Sequence, residues 1–277
     1  MNTQKKLNKS TRLVALEIWI LVFYKNKKFD DIIKNSFDFN KLDKRDKSFL
    51  FLLINTCMRR HNQAQKFFNK YAKFGIKKKN RYLNSILIIA TIQLIWLKIA
   101  PYAVLNEAVN QAKLYIGDKQ SKLVNAILRK MLADKDDWLN LIPEDKYNLP
   151  EWLLKSWTAS YGEKNVNEIA RLAMKPPPLD IVVSKKINKK EIEQLKTLLS
   201  GEQIIPNVIR CNVNETIEKL PRFSDGIWWI QDVASQVPCN LLLSKMKTHF
   251  SKPINSVKIL DMCCAPGGKT AQLLDNK

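Results

Sequence analysis

The residues best suited to chemistry lie near the end of the chain, where Val257–Leu274 has the sequence VKILDMCCAPGGKTAQLL. Its first five residues, Val257–Asp261, predict an apolar strand that ends at a carboxylate. A Pro-Gly-Gly turn and Lys269-Thr270 then open an apolar-periodic helix. This order is typical of the carboxyl edge of a parallel sheet, where glycines let the backbone approach a ligand. Helix N–H groups there bind a carboxylate or a phosphate.

Two common nucleotide-binding loops fit the segment poorly. A Walker A loop ending at Lys269 and Thr270 needs a glycine at position 263, where the chain has Cys263. The G-x-G-x-x-G pattern of dinucleotide-binding loops is also absent from the sequence. A strand-to-helix turn without any ligand is the remaining alternative. The ten-residue pattern D-x-C-x-A-P-G-G-K-T is more specific than such a turn requires, and it therefore favours a ligand-binding loop.

The elements upstream of this loop begin with a helical part. Apolar residues at helical spacing predict helices up to about residue 140, and short connections between the last of them predict an antiparallel bundle. The predicted helices are 11–24, Ser48–Arg60, Leu83–Leu97, one that starts near Pro101 and ends at Gly117-Asp118, and one that Ser121 would cap. Pro143 and Pro150 bracket a polar stretch that predicts a domain boundary.

The rest of the chain predicts a mixed structure. Pro176-Pro177-Pro178 cannot continue a helix and forces an extended path. The predicted helices are Glu151–Tyr161, Glu163–Met174, Lys189–Leu199 and Val233–Met246, and the predicted strands are Leu179–Ser184, Asn207–Cys211 and Ile227–Ile230.

Charge is concentrated in the helical part. The chain has 47 Lys and Arg against 26 Asp and Glu, a formal net charge of +21. Residues 1–140 hold 28 of the basic and 11 of the acidic residues, a net charge of +17. Such an excess predicts a polyanionic partner, with nucleic acid first and an anionic membrane surface second. A lysine-rich surface that has no partner is the simplest alternative.

Basic and aromatic residues alternate in one stretch of this half. Exposed lysines and arginines can neutralise phosphates, and exposed aromatic rings can stack on bases. We expect the basic residues to contact RNA and the aromatic residues to belong to the core. The basic residues are Arg59, Arg60, Lys66, Lys70, Lys73, Lys77, Lys78, Lys79 and Arg81, and the aromatic residues are Phe67, Phe68, Tyr71 and Phe74.

The numbers and spacing of the cysteines and histidines predict the redox environment and the absence of a metal site. The five cysteines contain no C-x-x-C pair, and an odd number is not a disulfide framework, so we predict a reducing cytoplasm. The two histidines, His61 and His249, lie far apart, and we predict no metal site.

An apolar run after Arg12 superficially resembles a signal peptide, but its spacing favours an amphipathic helix. Leu83–Leu97 is too short for a bilayer, and we predict no membrane segment.

Five segments together resemble one family. Asp261–Thr270 resembles motif I of the bacterial RNA cytosine-5 methyltransferases of the RsmB/Sun type, usually D-x-C-A-A-P-G-G-K-T, with Cys264 at the first alanine. Gly226–Gln236 (GIWWIQDVASQ) resembles a segment that precedes motif I in that family. Val104–Val109 and Val124–Arg129 resemble the signature helices of its NusB-like RNA-binding domain. Asn148–Gly162 resembles its inter-domain segment.

The resemblance implies a fold, a cofactor and a partner. The implied fold is multidomain: a NusB-like all-helical RNA-binding domain at 1–140, a small α+β domain at 145–240, and the start of a Rossmann-like α/β methyltransferase domain at 241–277. The implied cofactor is S-adenosylmethionine, and the implied partner is 16S ribosomal RNA of the small subunit; we expect a monomer. The residues implied to hold the cofactor are Asp261, Cys263, Cys264, Ala265, Pro266, Gly267, Gly268 and Lys269.

The family reaction also needs cysteines that the resemblance puts elsewhere. In the family, one cysteine thiolate attacks C6 of cytosine and a second assists release, and both follow motif I. Pro238-Cys239 precedes motif I, and we expect Cys239 and Cys57 to be structural. The family's Arg-containing strand after the prolines is replaced here by Leu179–Val183. We therefore expect this chain alone to be a catalytically inert, truncated form, and the alternative is a non-catalytic RNA-binding or ribosome-assembly remnant.

Overall fold

A computed structural model describes residues 9–73, 75–76, 79–213, 215–249 and 257–276. Contacts between Cα atoms divide the chain into two compact units, Met1–Lys175 and Pro176–Lys277. This division, after Lys175, lies 35 residues beyond residue 140, where the predicted first domain ends. The three-domain boundaries at 140, 145 and 240 stay a prediction.

The first unit consists of helices in every regular element that the structure describes. Its α-helices are α1 (Thr11–Lys25), α2 (Phe29–Asn35), α3 (Phe37–Asn40), α4 (Lys44–Asn69), α5 (Arg81–Ile95), α6 (Pro101–Ile116), α7 (Asp118–Ala133), α8 (Trp138–Leu141) and α9 (Glu151–Ala173). Short 3-10 turns lie at Lys135–Asp137 and Asp145–Asn148. The predicted all-helical character of this region is confirmed.

Helix α5 is the centre of the first unit. Every residue from Leu83 to Leu94 is buried, which follows from a segment that is apolar on nearly all sides. Helices α4 and α6 pack against it. The largest fully buried side chains nearby include Trp19 of α1 and Phe67 and Phe68 of α4. Phe67 and Phe68 therefore belong to the core as expected, Tyr71 is half-buried, and Phe74 lies outside the described residues.

Two details of the first unit concern helix ends. Helix α7 begins at Asp118, after Gly117 at φ 86°, and Ser121 lies inside it, buried, with its hydroxyl donating to the Asp118 carbonyl at 2.8 Å. The prediction that Ser121 caps this helix is therefore wrong, because Gly117 already provides the turn. In α9, Gly162 has φ 80° and ψ 157° and separates two helical halves, as the two predicted helices require.

The second unit is built on a four-stranded sheet with the order β2-β3-β1-β4. All three pairings are antiparallel. The strands are β1 (Leu179–Val183), β2 (Glu202–Ile205), β3 (Val208–Cys211) and β4 (Trp228–Ile230). The sequence did not predict β2, because Glu202 and Gln203 have low strand propensity and the strand is a short, mostly exposed edge.

Helices surround this sheet in the second unit. They are α10 (Lys189–Leu198), α11 (Val233–His249) and α12 (Gly268–Leu274), with 3-10 turns at Ile217–Lys219 and Phe223–Asp225. Ile192 and Leu195 of α10 pack on Ile181, Val183 and Ile209 of the sheet. The central strand β1 is buried from Asp180 to Val183, as its apolar run implies.

The structure differs from the sequence expectation at Val257–Asp261. Residues 257–261 have no regular secondary structure, so the predicted strand is wrong for this structure. Leu260 is 82% exposed, and none of the pairings in the described sheet includes this segment. An apolar strand of a parallel sheet needs hydrogen-bonded neighbours on both sides, and the described residues supply none. The start of a Rossmann-like domain is therefore still a prediction.

Candidate cofactor loop and nucleic-acid surface

The predicted ligand-binding loop, Asp261–Thr270, is closed on itself by one carboxylate. Asp261 Oδ1 accepts from the backbone N–H of Cys263 at 3.2 Å, and Asp261 Oδ2 accepts from the Thr270 hydroxyl at 2.8 Å. The first and last residues of the ten-residue pattern are thus joined directly. This explains why both residue types belong to the motif, and the contact was not apparent from spacing alone.

The two glycines of the loop, Gly267 and Gly268, are needed for different structural reasons. Gly267 has φ 113°, a backbone conformation that residues with a side chain rarely adopt. Gly268 begins α12, and a Cβ at this position would lie 3.3 Å from Cγ of Gln231. Gly267 therefore shapes the loop, whereas Gly268 lets α12 approach the end of β4 closely.

The remaining residues of the loop lie at the surface. Cys263, Cys264, Ala265, Pro266 and Lys269 are all exposed. Their backbone and side-chain groups are accessible to a ligand, with the Lys269 ammonium as the one cationic side chain of the loop. The eight predicted cofactor residues all lie on this loop, with Asp261, Gly267 and Gly268 half-buried and the others exposed, and their role in binding a cofactor stays a prediction.

Buried amides attach α12 to the rest of the second unit. The side-chain amide of Gln272 accepts from Gln231 Nε2 at 2.8 Å and donates to the Gln236 carbonyl at 3.2 Å and to Asn240 Oδ1 at 2.9 Å. Gln231 and Gln236 are the two glutamines of the Gly226–Gln236 segment. Helix α12, which follows the motif loop, is thus hydrogen-bonded to the Gly226–Gln236 segment. Sequence reasoning missed Gln272, which no motif distinguishes.

The far end of α12 is attached to β1. Asp275 accepts from the Ser184 hydroxyl and, at 2.9 Å, from the backbone N–H of Lys185. The Lys185 ammonium also contacts the side-chain oxygen of Asn276. Helix α12 is therefore held at its middle and at its C-terminal end, which fixes the position of the loop that precedes it.

An ion pair between a buried carboxylate and a partly exposed arginine supports the sheet beneath these contacts. Asp180 of β1 accepts from Arg210 Nε and a terminal nitrogen at 2.8 and 2.9 Å, and these residues lie opposite each other in the β1–β3 register. Asp180 also accepts from the backbone N–H of Val233 at 3.4 Å, at the start of α11. The Arg210 guanidinium holds the pKa of the Asp180 carboxyl below its usual range. Arg210 is therefore engaged within the sheet.

Three of the five cysteines are buried. Burial raises the thiol pKa of Cys57 and of Cys239, and it raises that of Cys211 to about 11. Cys239 donates to the Lys269 carbonyl at a sulfur–oxygen distance of 3.9 Å. A buried thiol with a raised pKa is a poor nucleophile. These positions agree with the structural roles expected for Cys57 and Cys239.

The predicted RNA-contacting residues divide into three groups. Lys79 and Arg81 are exposed, and Arg59 is half-buried on α4. Lys77 and Lys78 lie outside the described residues. A cavity of about 420 Å³ is lined by Lys79, Arg81 and Gln120, so that basic residues at the start of α5 meet a polar side chain of α7. These residues form a candidate surface for phosphates.

Arg60 has a different environment. Its guanidinium donates to Asp145 Oδ1 at 3.0 Å and to Gln63 Oε1 at 2.8 Å, and it lies 5.2 Å from the Trp96 ring centre. Only 16% of the side chain is exposed. Gln63 in turn donates to the Pro143 carbonyl and to Asp145. Arg60 therefore joins α4 to the segment that follows α8, and its first role is structural.

Two further observations limit the site. Among the described residues, no group of three or more His, Cys, Asp or Glu side chains is arranged to hold a metal ion. No helix in the described ranges is both long and apolar enough to cross a membrane.

Comparison with known proteins agrees with the sequence resemblance. Residues 9–133 match the model of the NusB family. The chain is 26% identical over 273 residues to ribosomal RNA small subunit methyltransferase B of Pasteurella multocida (strain Pm70), covering 96% of this chain and 58% of that protein. It is 27% identical over 244 residues to the protein of the same name from Klebsiella pneumoniae subsp. pneumoniae, covering 85% and 54%.

The fold is similar to that of a solved structure. The crystal structure of PH0851 matches with a TM-score of 0.55 at 18% identity, covering 99% of this chain and 63% of that chain. The chain thus spans somewhat more than half the length of the curated relatives that it matches. The resemblance to RsmB/Sun-type methyltransferases is confirmed, and so is the multidomain fold class with its NusB-like helical region.

Proposed function

On the premise that residues 9–133 are a NusB-family region, within a chain similar to ribosomal RNA small subunit methyltransferase B, we propose that this protein takes part in methylation of small-subunit ribosomal RNA. The methyl donor is S-adenosylmethionine, and the target is C5 of a cytosine. The observation that carries the proposal is the motif loop closed by Asp261 and Thr270 and held against the glutamines of the Gly226–Gln236 segment.

The loop residues fit one end of the proposed cofactor. The turn at Gly267, which has a positive φ, presents backbone N–H donors to the methionine carboxylate. The exposed Lys269 presents its ammonium group to the same carboxylate. Asp261 shapes the loop, and Cys263 to Pro266 form its exposed outer side. When bound, the cofactor supplies the methyl group. The described residues bind and orient that group.

Ribosomal RNA is the proposed partner of the first unit. Lys79 and Arg81, with Arg59 beside them in the sequence cluster, supply the phosphate contacts, and Lys77 and Lys78 belong to the same proposed surface. We assign Arg60 to the structure of the unit because it is paired with Asp145. Five free cysteines agree with the proposed cytoplasmic setting.

Residues 1–277 supply no thiol that suits attack on the base. Three cysteines are buried, and Cys263 and Cys264 lie in the proposed cofactor loop. We therefore propose that these residues bind cofactor and RNA but do not transfer the methyl group without further protein. A second candidate, an RNA-binding protein without methyl transfer, is favoured by the unpaired, exposed segment at 257–261.

The test uses the purified 277-residue chain, S-adenosylmethionine and small-subunit ribosomal RNA. We expect calorimetry to detect cofactor binding, and Lys269→Ala to weaken it about tenfold by removing a charge-assisted contact. Lys258→Ala, at another exposed lysine just upstream, is the matched control. We expect no tritiated methyl group in the RNA.

Each result separates the candidates. Equal binding by the Lys269→Ala variant would exclude the proposed carboxylate contact. No cofactor binding at any concentration would favour the RNA-binding alternative. Methyl transfer by this chain would show that residues 1–277 contain the nucleophile after all.

A further inference from the structure

A second cavity lies in the second unit, away from the motif loop. It has a volume of about 240 Å³ and is formed by the end of β1, the β2–β3 turn, β4, α11 and α12. Its polar lining is dominated by carboxamides. The side chains that matter for its chemistry are Lys185, Asn207, Trp229, Gln236, Asn240 and Asn276.

Gln236 contributes an unsatisfied donor to this cavity. The residue is only 5% exposed, and its Nε2 has no hydrogen-bond partner. Among the described residues of the second unit, it is the one buried side-chain nitrogen or oxygen in that position. Buried polar atoms are nearly always paired in folded proteins. An acceptor from a ligand in the cavity would complete this pairing.

The lining defines the chemical class of that ligand. Within the cavity, Asn207 Nδ2 already donates to a backbone carbonyl and Asn240 Oδ1 already accepts from Gln272. The Asn207 oxygen, the Asn240 nitrogen and the Gln236 nitrogen are therefore left for a neutral ligand edge that has both donors and acceptors. The Trp229 indole N–H is already used by Gln231 Oε1 at 2.9 Å, which leaves its ring for apolar contact. Ile205 and Pro206 add apolar surface, and exposed Lys185 adds one cation.

We infer that this cavity binds one unpaired nucleobase of the RNA substrate, at a point separate from the base to be methylated. Single-stranded RNA is recognised by stacking on aromatic rings and by hydrogen bonds to base edges, and the Lys185 ammonium suits the adjoining phosphate. The cavity is lined by Asp275 and Asn276, after α12, whereas the motif loop precedes that helix. Seven residues of helix separate the two, about 10 Å.

This inference rests on the proposed RNA substrate, and its test uses a different probe. A single-stranded RNA oligonucleotide containing 4-thiouridine is cross-linked to the 277-residue chain, and the attached peptide is mapped by mass spectrometry. We expect cross-links within residues 229–240. Gln236→Leu should raise the Kd for the oligonucleotide about three- to tenfold, since one hydrogen bond is lost. Its salt dependence should not change, because no charge is removed.

The controls keep the outcomes distinct. Gln194→Leu removes an exposed amide from α10 in the same unit and should leave the Kd unchanged. Gln236→Met, closer in shape, replaces the leucine variant if that variant fails to fold. Unchanged affinity in both Gln236 variants, or cross-links confined to residues 1–175, would overturn the inference while leaving RNA binding by the basic surface intact.

Free nucleotides are the other source of the same chemistry. Titration with CMP, UMP, AMP and GMP measures them directly. Millimolar or weaker binding of each, together with tighter binding of the oligonucleotide, supports an RNA subsite. Tight binding of one mononucleotide with no binding of the oligonucleotide would overturn the RNA assignment in favour of a free-nucleotide site. Such a result would also count against the proposed function.

Discussion

The ion pair between Asp180 and Arg210 shows how a single residue links several elements. The buried carboxylate of Asp180 joins β1 to β3 through Arg210 and joins β1 to α11 through the N–H of Val233. Its backbone carbonyl accepts from the N–H of Gln231, at the start of the segment that holds α12. Strand β1 thus contributes the carboxylate, and its arginine partner lies on the neighbouring strand β3.

Asp180→Asn tests this role. The change should lower the free energy of unfolding of the second unit by about 2 kcal/mol at pH 7, since Arg210 loses its buried partner. Arginine lowers the pKa of Asp180, so this stabilisation is complete above about pH 4 and is lost as pH falls through the lowered pKa. The difference between wild type and variant, measured by urea unfolding, should therefore shrink below pH 4.

Asp225→Asn is the matched control for this measurement. Its exposed carboxylate pairs with Arg222 at 2.7 Å, and exposed pairs contribute little. Its unfolding free energy should stay close to that of the wild type. An Asp180→Asn difference that is the same at pH 3 and pH 7 would contradict the ionic role of Asp180.

At the scale of elements, the short helix α12 depends on contacts outside itself. Seven residues are too few for a stable isolated helix in water. Its position comes from the buried amide of Gln272 and from Asp275 at its end. The order of the proposed cofactor loop therefore depends on these contacts of α12.

Gln272→Leu should release α12 locally. The change leaves the amide of Gln231 and the carbonyl of Gln236 without their partners, a loss of about 1–3 kcal/mol. We expect amide hydrogen exchange in α12 to accelerate on the order of ten- to a hundredfold, with α10 unaffected. Gln194→Leu is the control, because Gln194 is exposed on α10. Unchanged exchange in α12 would exclude this dependence.

Element boundaries follow the sequence well where apolar periodicity is strong. Helix α5 and strand β1 are nearly as predicted, because burial on all sides leaves a continuous apolar run. The prediction failed at Ser121, where a glycine turn replaced the side-chain cap, and at β2, where pairing with β3 orders a polar edge. At Ser121 the glycine just before the helix provides the turn, whereas at β2 a neighbouring strand, and not local preference, fixes the backbone.

At the scale of the whole molecule, charge is the dominant property. Residues 1–140 carry a net charge of +17, and no acidic residue occurs between Asp46 and Glu107. Helices α4 and α5 and their connection therefore form the most basic continuous stretch of the chain. Under the proposed function this stretch contacts RNA phosphates, and such contacts displace counterions, so that affinity depends steeply on salt.

Salt dependence separates phosphate contacts from structural cations. Between about 50 and 200 mM salt, RNA affinity of the chain should fall steeply. Lys79→Gln and Arg81→Gln should each reduce the slope of log K against log salt by about 1. Lys190→Gln, at an exposed position of α10, is the control. Arg60→Gln should keep the slope and instead lower stability, because Arg60 is paired with Asp145. Equal slopes in every variant would exclude the proposed surface.

The amino-acid sequence by itself predicted the order of the helices, the basic half, the ten-residue loop and the family resemblance. These features depend on hydrophobic periodicity, composition and local spacing, all of which are properties of residues close together in the sequence. The contacts of Gln272 with Gln231 and Gln236, the pairing of Asp180 with Arg210, and the engagement of Arg60 with Asp145 required the folded chain. These partners lie 30 to 85 residues apart. Polar pairs so far apart in the sequence leave no periodic pattern. Burial and geometry in the folded chain alone decide which residues pair.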